Sequence, residues 1–173
     1  MMHVVGGFDL SLRSTGLIAI PADWSGDFAR AQVATAGMSL NRDASVREQV
    51  YRLQSIRDAV IHFAKRTGIT AAVIEEYAMG PHGHRLGFSL AELGGVVKTA
   101  LIELRIDVET VSPQSARKLL GKQPRKDRKI WAAQRIIAMG APRAWSLDIL
   151  DAAVLANWKL GELGVGLLAP EAA

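Results

Sequence analysis

Apolar residues arrive first in short runs and only later at helical spacing. His3 to Leu10 and Gly16 to Ile20 are short, apolar and compatible with strands, and SLRST followed by Gly16 has the composition of a hairpin turn between them. A third strand is expected over Ala31 to Met38. Asn41 to Ser45 then offers capping side chains, and Val46, Val50, Leu53, Val60 and Phe63 recur at helical spacing up to Gly68, a natural stop. This stripe suits either the core or a contact between two copies of the chain.

Beyond Gly68 strands and helices alternate. Thr70 to Ile74 predicts a short strand ending at Glu75, Glu76 and Tyr77, and MGPHGHRLGF reads as a loop from its Gly and Pro content. Ser89 is placed to cap a helix over Leu90 to Arg105, and Ile106 to Val111 returns as a strand. Ser112 and Pro113 open a short helix, QSARKLL, which Gly121 ends, and KQPRKD forms a basic loop. Two further helices are expected, over Arg128 to Met139 and Leu147 to Leu163. Three strands able to pair antiparallel, then strand–helix alternation, predict an α/β fold: a mixed sheet with helices on both faces.

Composition narrows the class. The chain has 173 residues, which suits one domain over 1–173, and no cysteine, which excludes disulfides and cysteine-ligated zinc. No secretory pattern opens the sequence and no apolar run spans a membrane, so the expectation is a cytoplasmic protein with no membrane partner. The formal net charge is +4. Between Arg117 and Arg135 stand eight basic residues (Arg117, Lys118, Lys122, Arg125, Lys126, Arg128, Lys129, Arg135) against one acid, Asp127. Clustering of this kind fits a phosphate backbone, and also fits a solvated helix face.

Four acids stand where backbone logic predicts apolar residues. Asp9 lies in the first strand, Glu75 ends the fourth, and Asp148 and Asp151 share one face of the last helix, in the largely apolar LDILDAAVLANW. Functional groups gather at strand ends of open sheets, so Asp9 and Glu75 meet if the first and fourth strands are neighbours. Carboxylates packed together lose hydration and repel, and a cation relieves both. Without cysteine, such a cluster suits hard cations such as Mg²⁺ or Mn²⁺, and a pair about 3.5–4 Å apart suits phosphodiester hydrolysis. A nearby basic segment then offsets the anionic backbone that bare carboxylates would repel.

Taken in order, GFDLSLRSTG, VIEE and DILDAA resemble the three acidic motifs of the RuvC Holliday junction resolvases within the RNase H-like superfamily, over about Val4 to Trp158. The resemblance implies an RNase H-like fold with a mixed five-stranded sheet flanked by helices. It also implies a homodimer that makes paired nicks in four-way DNA junctions, with two Mg²⁺ ions per active site, or Mn²⁺ in their place. Asp9, Glu75, Asp148 and Asp151 match the family's catalytic metal ligands. SPQSARKLLGKQPRKDRKI resembles its basic region, so Arg117, Lys118, Lys122, Arg125, Lys126 and Lys129 are candidate DNA contacts. Where the family carries a junction-wedging aromatic, three residues beyond the second acid, this chain has Ala78, with Tyr77 and Phe88 as the aromatics nearby.

His82 and His84 lack a third nitrogen or sulfur ligand for zinc, and with Arg85 they fit a DNA phosphate better. Glu76 points to the opposite face from Glu75 if the strand continues. Ser14 and Thr15 read as turn residues, and Trp131, Trp145 and Trp158 as core anchors. Two other functions stay open: a branched-DNA binding module that does not cut, and a nuclease of broader specificity on flaps, forks or three-way junctions. A sugar kinase or chaperone ATPase shares an aspartate in a similar hairpin but needs two such domains.

Overall fold

Residue alternation decides which side of the sheet each strand gives to which helices. The computed structural model describes residues 3–23, 28–76 and 84–165, without the side chains of 84–86. Five strands form one sheet in the order β3-β2-β1-β4-β5: β1 Val4–Asp9, β2 Thr15–Pro21, β3 Gln32–Ala36, β4 Ala71–Glu75 and β5 Asp107–Val111. The β1–β2 and β2–β3 pairs are antiparallel, while β4 runs parallel to both β1 and β5. The sheet is therefore mixed and five-stranded, and β1 and β4 are neighbours, which meets the condition for Asp9 and Glu75 to come together.

Helices cover both faces. The helices are α1 Val46–Thr67, α2 His84–Glu103, α3 Pro113–Arg117, α4 Arg128–Ala138 and α5 Leu147–Glu162. Phe8, Leu17 and Ile74 pack with Ile56 and Phe63 of α1 and Leu93, Val97 and Leu101 of α2. On the opposite face Val5, Ile18, Ile20 and Val73 pack with Ala132 and Ile136 of α4 and with α5. In α5 the residues from Ile149 to Asn157 are all buried, so this helix lies inside the molecule. Trp131, Trp145 and Trp158 are partly buried against that second core, as anchors do.

Helix ends follow the capping chemistry. Ser45 and Glu48 form a reciprocal capping box at the start of α1, and Gly68, at φ 69°, closes it in the left-handed conformation. The α1 stripe divides: Ile56, Val60 and Phe63 are buried, whereas Val46, Val50 and Tyr51 are exposed. Residues 84–88, expected in a loop, are instead the first turns of α2, so Ser89 lies inside the helix and does not cap it. Gly87 reads as a breaker, but a glycine inside a helix costs only about 1 kcal/mol, which the packing of Leu93, Val97 and Leu101 offsets. Tyr77, Ala78 and His82 lie outside the described residues. Among those described, no helix is long and apolar enough to cross a membrane.

Candidate active site

Strand parity brings the first two acids to one face. Val5, Gly7 and Asp9 alternate toward α5, as do Val73 and Glu75 on the neighbouring β4. Asp9 closes β1 and Glu75 closes β4, so the two carboxylates stand at the same edge of the sheet. Across the hairpin Asp9 pairs with Gly16. Thr15 is fully buried and serves the turn itself: its hydroxyl donates to the Ser11 carbonyl at 2.6 Å and accepts from the Ser11 N–H at 3.0 Å.

Two glycines let α5 deliver the other acids. A Cβ at Gly16 would lie 2.0 Å from the Asp148 carbonyl oxygen, and one at Gly7 would lie 2.0 Å from that of Ala152. The helix backbone therefore rests directly on β1 and β2, nearer than any side chain permits. Ser146 caps α5 by accepting from the Ile149 N–H at 3.3 Å, and Asp148 and Asp151 follow on its first turns.

One ammonium joins the cluster. Lys129 Nζ lies 2.6 Å from Asp151 Oδ2, 3.4 Å from Asp9 Oδ2 and 3.8 Å from Asp148 Oδ1. Asp127, at φ 54°, turns the chain into α4 so that its first turn reaches the sheet edge. Arg117, the last residue of α3, approaches Asp151 Oδ1 at 3.8 Å. Both Asp151 Oδ1 and Arg117 Nε are buried without a hydrogen-bond partner. Glu75 stands on the adjoining strand and has no ion pair among the described residues.

Burial sets the electrostatics. It raises the Asp9 carboxyl from 3.8 to about 7, Lys129 opposing and the charges of Asp151, Glu75 and Asp148 reinforcing. Burial likewise raises Asp151 against its Lys129 hydrogen bond, and Glu75 against Arg117. Burial works against the Lys129 ammonium, but the Asp151 hydrogen bond and the surrounding carboxylates outweigh it and hold the lysine charged.

Among the described residues no three acids or histidines are drawn tightly enough to hold a metal ion as they stand. The donor set nonetheless fits a hard cation. Three carboxylates already gather on the Lys129 ammonium, and the buried Asp151 Oδ1 has no hydrogen-bond donor. Replacing Lys129 with Met would leave those carboxylates facing one another. In EDTA at pH 8 the melting temperature is expected to fall by a few degrees, about 1–2 kcal/mol for a half-exposed ammonium. The deficit should shrink by pH 5 as the raised carboxyls protonate, and an equal loss at both pH values would show that Lys129 acts by packing.

The other basic residues divide. Lys118 in the single 3-10 turn after α3, and Lys122, Arg125 and Lys126 on the following loop, are exposed or partly so. Arg117, expected to face DNA, is turned inward to Asp151 with 13% of its side chain exposed. Arg85 lies in α2 with its side chain outside the description, and Phe88 is exposed nearby. Gly7 and Gly16 carry no chemistry of their own and so escape a search for reactive residues, although glycine inside a strand is itself a sign of close backbone approach.

No family model and no curated protein sequence matches the chain with significance. Solved structures do. Thermus thermophilus RuvC in complex with a Holliday junction substrate aligns with a TM-score of 0.67 at 17% identity, covering 94% of this chain and 97% of that one. The fowlpox virus resolvase, solved with its Holliday junction DNA, aligns with a TM-score of 0.57 at 11% identity, covering 92% and 98%. The yeast mitochondrial Holliday junction resolvase gives 0.56 at 12%, covering 90% and 77%. The chain thus has the RNase H-like fold that these resolvases share.

Proposed function

We propose that this chain is a divalent-metal-dependent endonuclease for branched DNA, with four-way junctions as its preferred substrate. The reading is carried by one observation: Asp9, Asp148 and Asp151, from two elements distant in sequence, converge on one cation beside Glu75. The fold shared with junction resolvases supports the choice of substrate. Asp9, Glu75, Asp148 and Asp151 would hold Mg²⁺, or Mn²⁺ in its place, two ions per site. Bound there, the ions would acidify a water and polarise the scissile phosphodiester.

The chain's own residues do the rest. Lys129, which sits on the carboxylates in this structure, would be free to turn its ammonium to the phosphate were ions to occupy them. Arg117 keeps Asp151 oriented from behind. Lys118, Lys122, Arg125 and Lys126 hold the flanking backbone, with Arg85 and Tyr77 serving the strand beyond Glu75. Paired nicks require two such sites, and the exposed Val46, Val50, Tyr51 and Phe88 offer apolar surface for a homodimer.

A single gel series tests the substrate. Four-way, three-way, flap and linear DNA are incubated with the protein and Mg²⁺, and the four-way junction is expected to be cut fastest, in two opposed strands. Equal rates on all four would remove junction selectivity and leave a nuclease of broader specificity. Tight junction binding with no cleavage in Mg²⁺ or Mn²⁺ would turn the reading to a binding module.

A further inference from the structure

The chain leaves Asp9 into a second basic feature, on the other side of the sheet from the loop that carries Lys118 to Lys126. Leu10 to Arg13 form one wall of an open groove of about 740 Å³. Asn41 and Arg42, before α1, form another wall, with Arg52 on α1 and Ser89 on α2 closing it. Leu10, Leu12 and Leu90 belong to the core shared with α1 and α2, which places the groove on the face opposite α5.

Its charge is one-sided. Arg13, Arg42 and Arg52 line it, and among the described residues no Asp or Glu does. Three arginines elsewhere pair with carboxylates: Arg30 with Asp23, Arg57 with Asp58 and Arg117 with Asp151. The three in the groove have no ion pair among the described residues, and the Arg52 Nε is buried with no acceptor. Gathered guanidiniums repel, and a buried donor without a partner is costly. A bound phosphate relieves both, and the planar guanidinium fork matches its oxygens.

We propose that this groove binds the DNA phosphate backbone through Arg13, Arg42 and Arg52. It thereby anchors the strand on the side of the scissile bond away from Lys118, Lys122, Arg125 and Lys126. The proposal rests on the nuclease reading for its ligand, but not on cleavage. DNA crossing the edge of the sheet at Asp9 then meets basic groups on both faces, and the carboxylates lie between two phosphate-binding sides. Neutral polar groups at Asn41, Gln49 and Ser89 and several leucines share the lining, as suits a backbone whose sequence is not read.

The test is binding without metal. Fluorescein-labelled four-way junction and linear duplex are titrated in EDTA, where no cut occurs, and anisotropy is followed from low to moderate salt. Arg42→Gln and Arg52→Gln are each expected to weaken binding roughly fivefold to tenfold, and to lower the slope of log Kd against log salt by about 0.9 for each phosphate that is no longer neutralised. Arg52→Lys keeps the charge but not the fork, and should keep the slope while losing affinity. Lys65→Gln, in the last turn of α1 at the opposite end of the sheet, should change neither quantity. Unaltered melting temperatures establish that the variants are folded. Wild-type affinity and slope in both Gln variants would overturn the groove and leave the nuclease reading intact. Failure of the wild-type chain to bind any DNA would sink the nuclease reading first, and the groove with it.

Discussion

Asp9→Asn is expected to lose Mg²⁺-dependent cleavage by at least about 10²–10³-fold, and at the same time to raise the melting temperature of the metal-free protein above pH 8. The two effects have one cause. Burial lifts the Asp9 carboxyl in the folded chain from 3.8 to about 7. In the unfolded chain it ionises near the ordinary value. Folding therefore takes up a proton between about pH 4 and pH 7, and stability falls as pH rises through that window. The full span amounts to about 4 kcal/mol at most. Glu75 and Asp151, raised by the same burial, add in the same direction. Asparagine fills the site without ionising and so escapes the penalty, which gives the variant its advantage above pH 7 and little advantage at pH 4.

Divalent ions should reverse the ranking. A ligand that binds only the folded state adds stability in proportion to the logarithm of its concentration over its dissociation constant. Wild-type protein is expected to gain melting temperature on addition of Mg²⁺, and Asp9→Asn to gain much less. Thermal melts from pH 5 to 8.5, in EDTA and in Mg²⁺, decide the matter. A variant less stable than wild type at pH 8 in EDTA would mean that the Lys129 ion pair outweighs burial at Asp9, and that the site is built around the lysine.

Much of the site is legible in the sequence because chemistry and periodicity disagree at single positions. Asp9 interrupts an apolar strand, and Asp148 and Asp151 interrupt an apolar helix face. The structure brings all three within 4 Å of one Lys129 ammonium. The neighbouring of β1 and β4, on which the meeting of Asp9 and Glu75 depends, holds in the register Phe8↔Ile74. What stays hidden is tertiary. In a segment with eight cations, nothing local separates Lys129 and Arg117, which reach the carboxylates, from Lys118, Lys122, Arg125 and Lys126, which do not. The left-handed turn at Asp127 stands two residues before Lys129, where α4 begins, and aspartate tolerates the conformation without announcing it; Arg117 reaches Asp151 from the end of α3. Arg13, Arg42 and Arg52 share a groove only because the β1–β2 turn, the approach to α1 and α1 itself end at one edge.

Gly16→Ala is expected to destabilise the protein by about 3 kcal/mol or more and to silence the site without altering any acid. The added Cβ would stand 2.0 Å from the Asp148 carbonyl oxygen and 2.8 Å from the Ile149 nitrogen. Both are backbone atoms of a helix whose inner residues are buried, so no side chain can rotate away to make room. The first turn of α5 must lift, carrying Asp148 and Asp151 away from Asp9 and Lys129. Cleavage should fall even where the protein remains folded, and so should the stabilisation that Mg²⁺ confers, because the carboxylates no longer converge. Gly95→Ala provides the contrast: that glycine lies within α2 with nothing inside 4 Å of the new methyl, and alanine there should stabilise by about 0.5–1 kcal/mol with cleavage unchanged. Chemical denaturation of the two variants, read beside their response to Mg²⁺, distinguishes a general intolerance of glycine substitution from the specific seating of α5. Wild-type stability in Gly16→Ala would mean that α5 can ride higher on the sheet, and that the approach of its backbone to β2 does not set the spacing of the carboxylates.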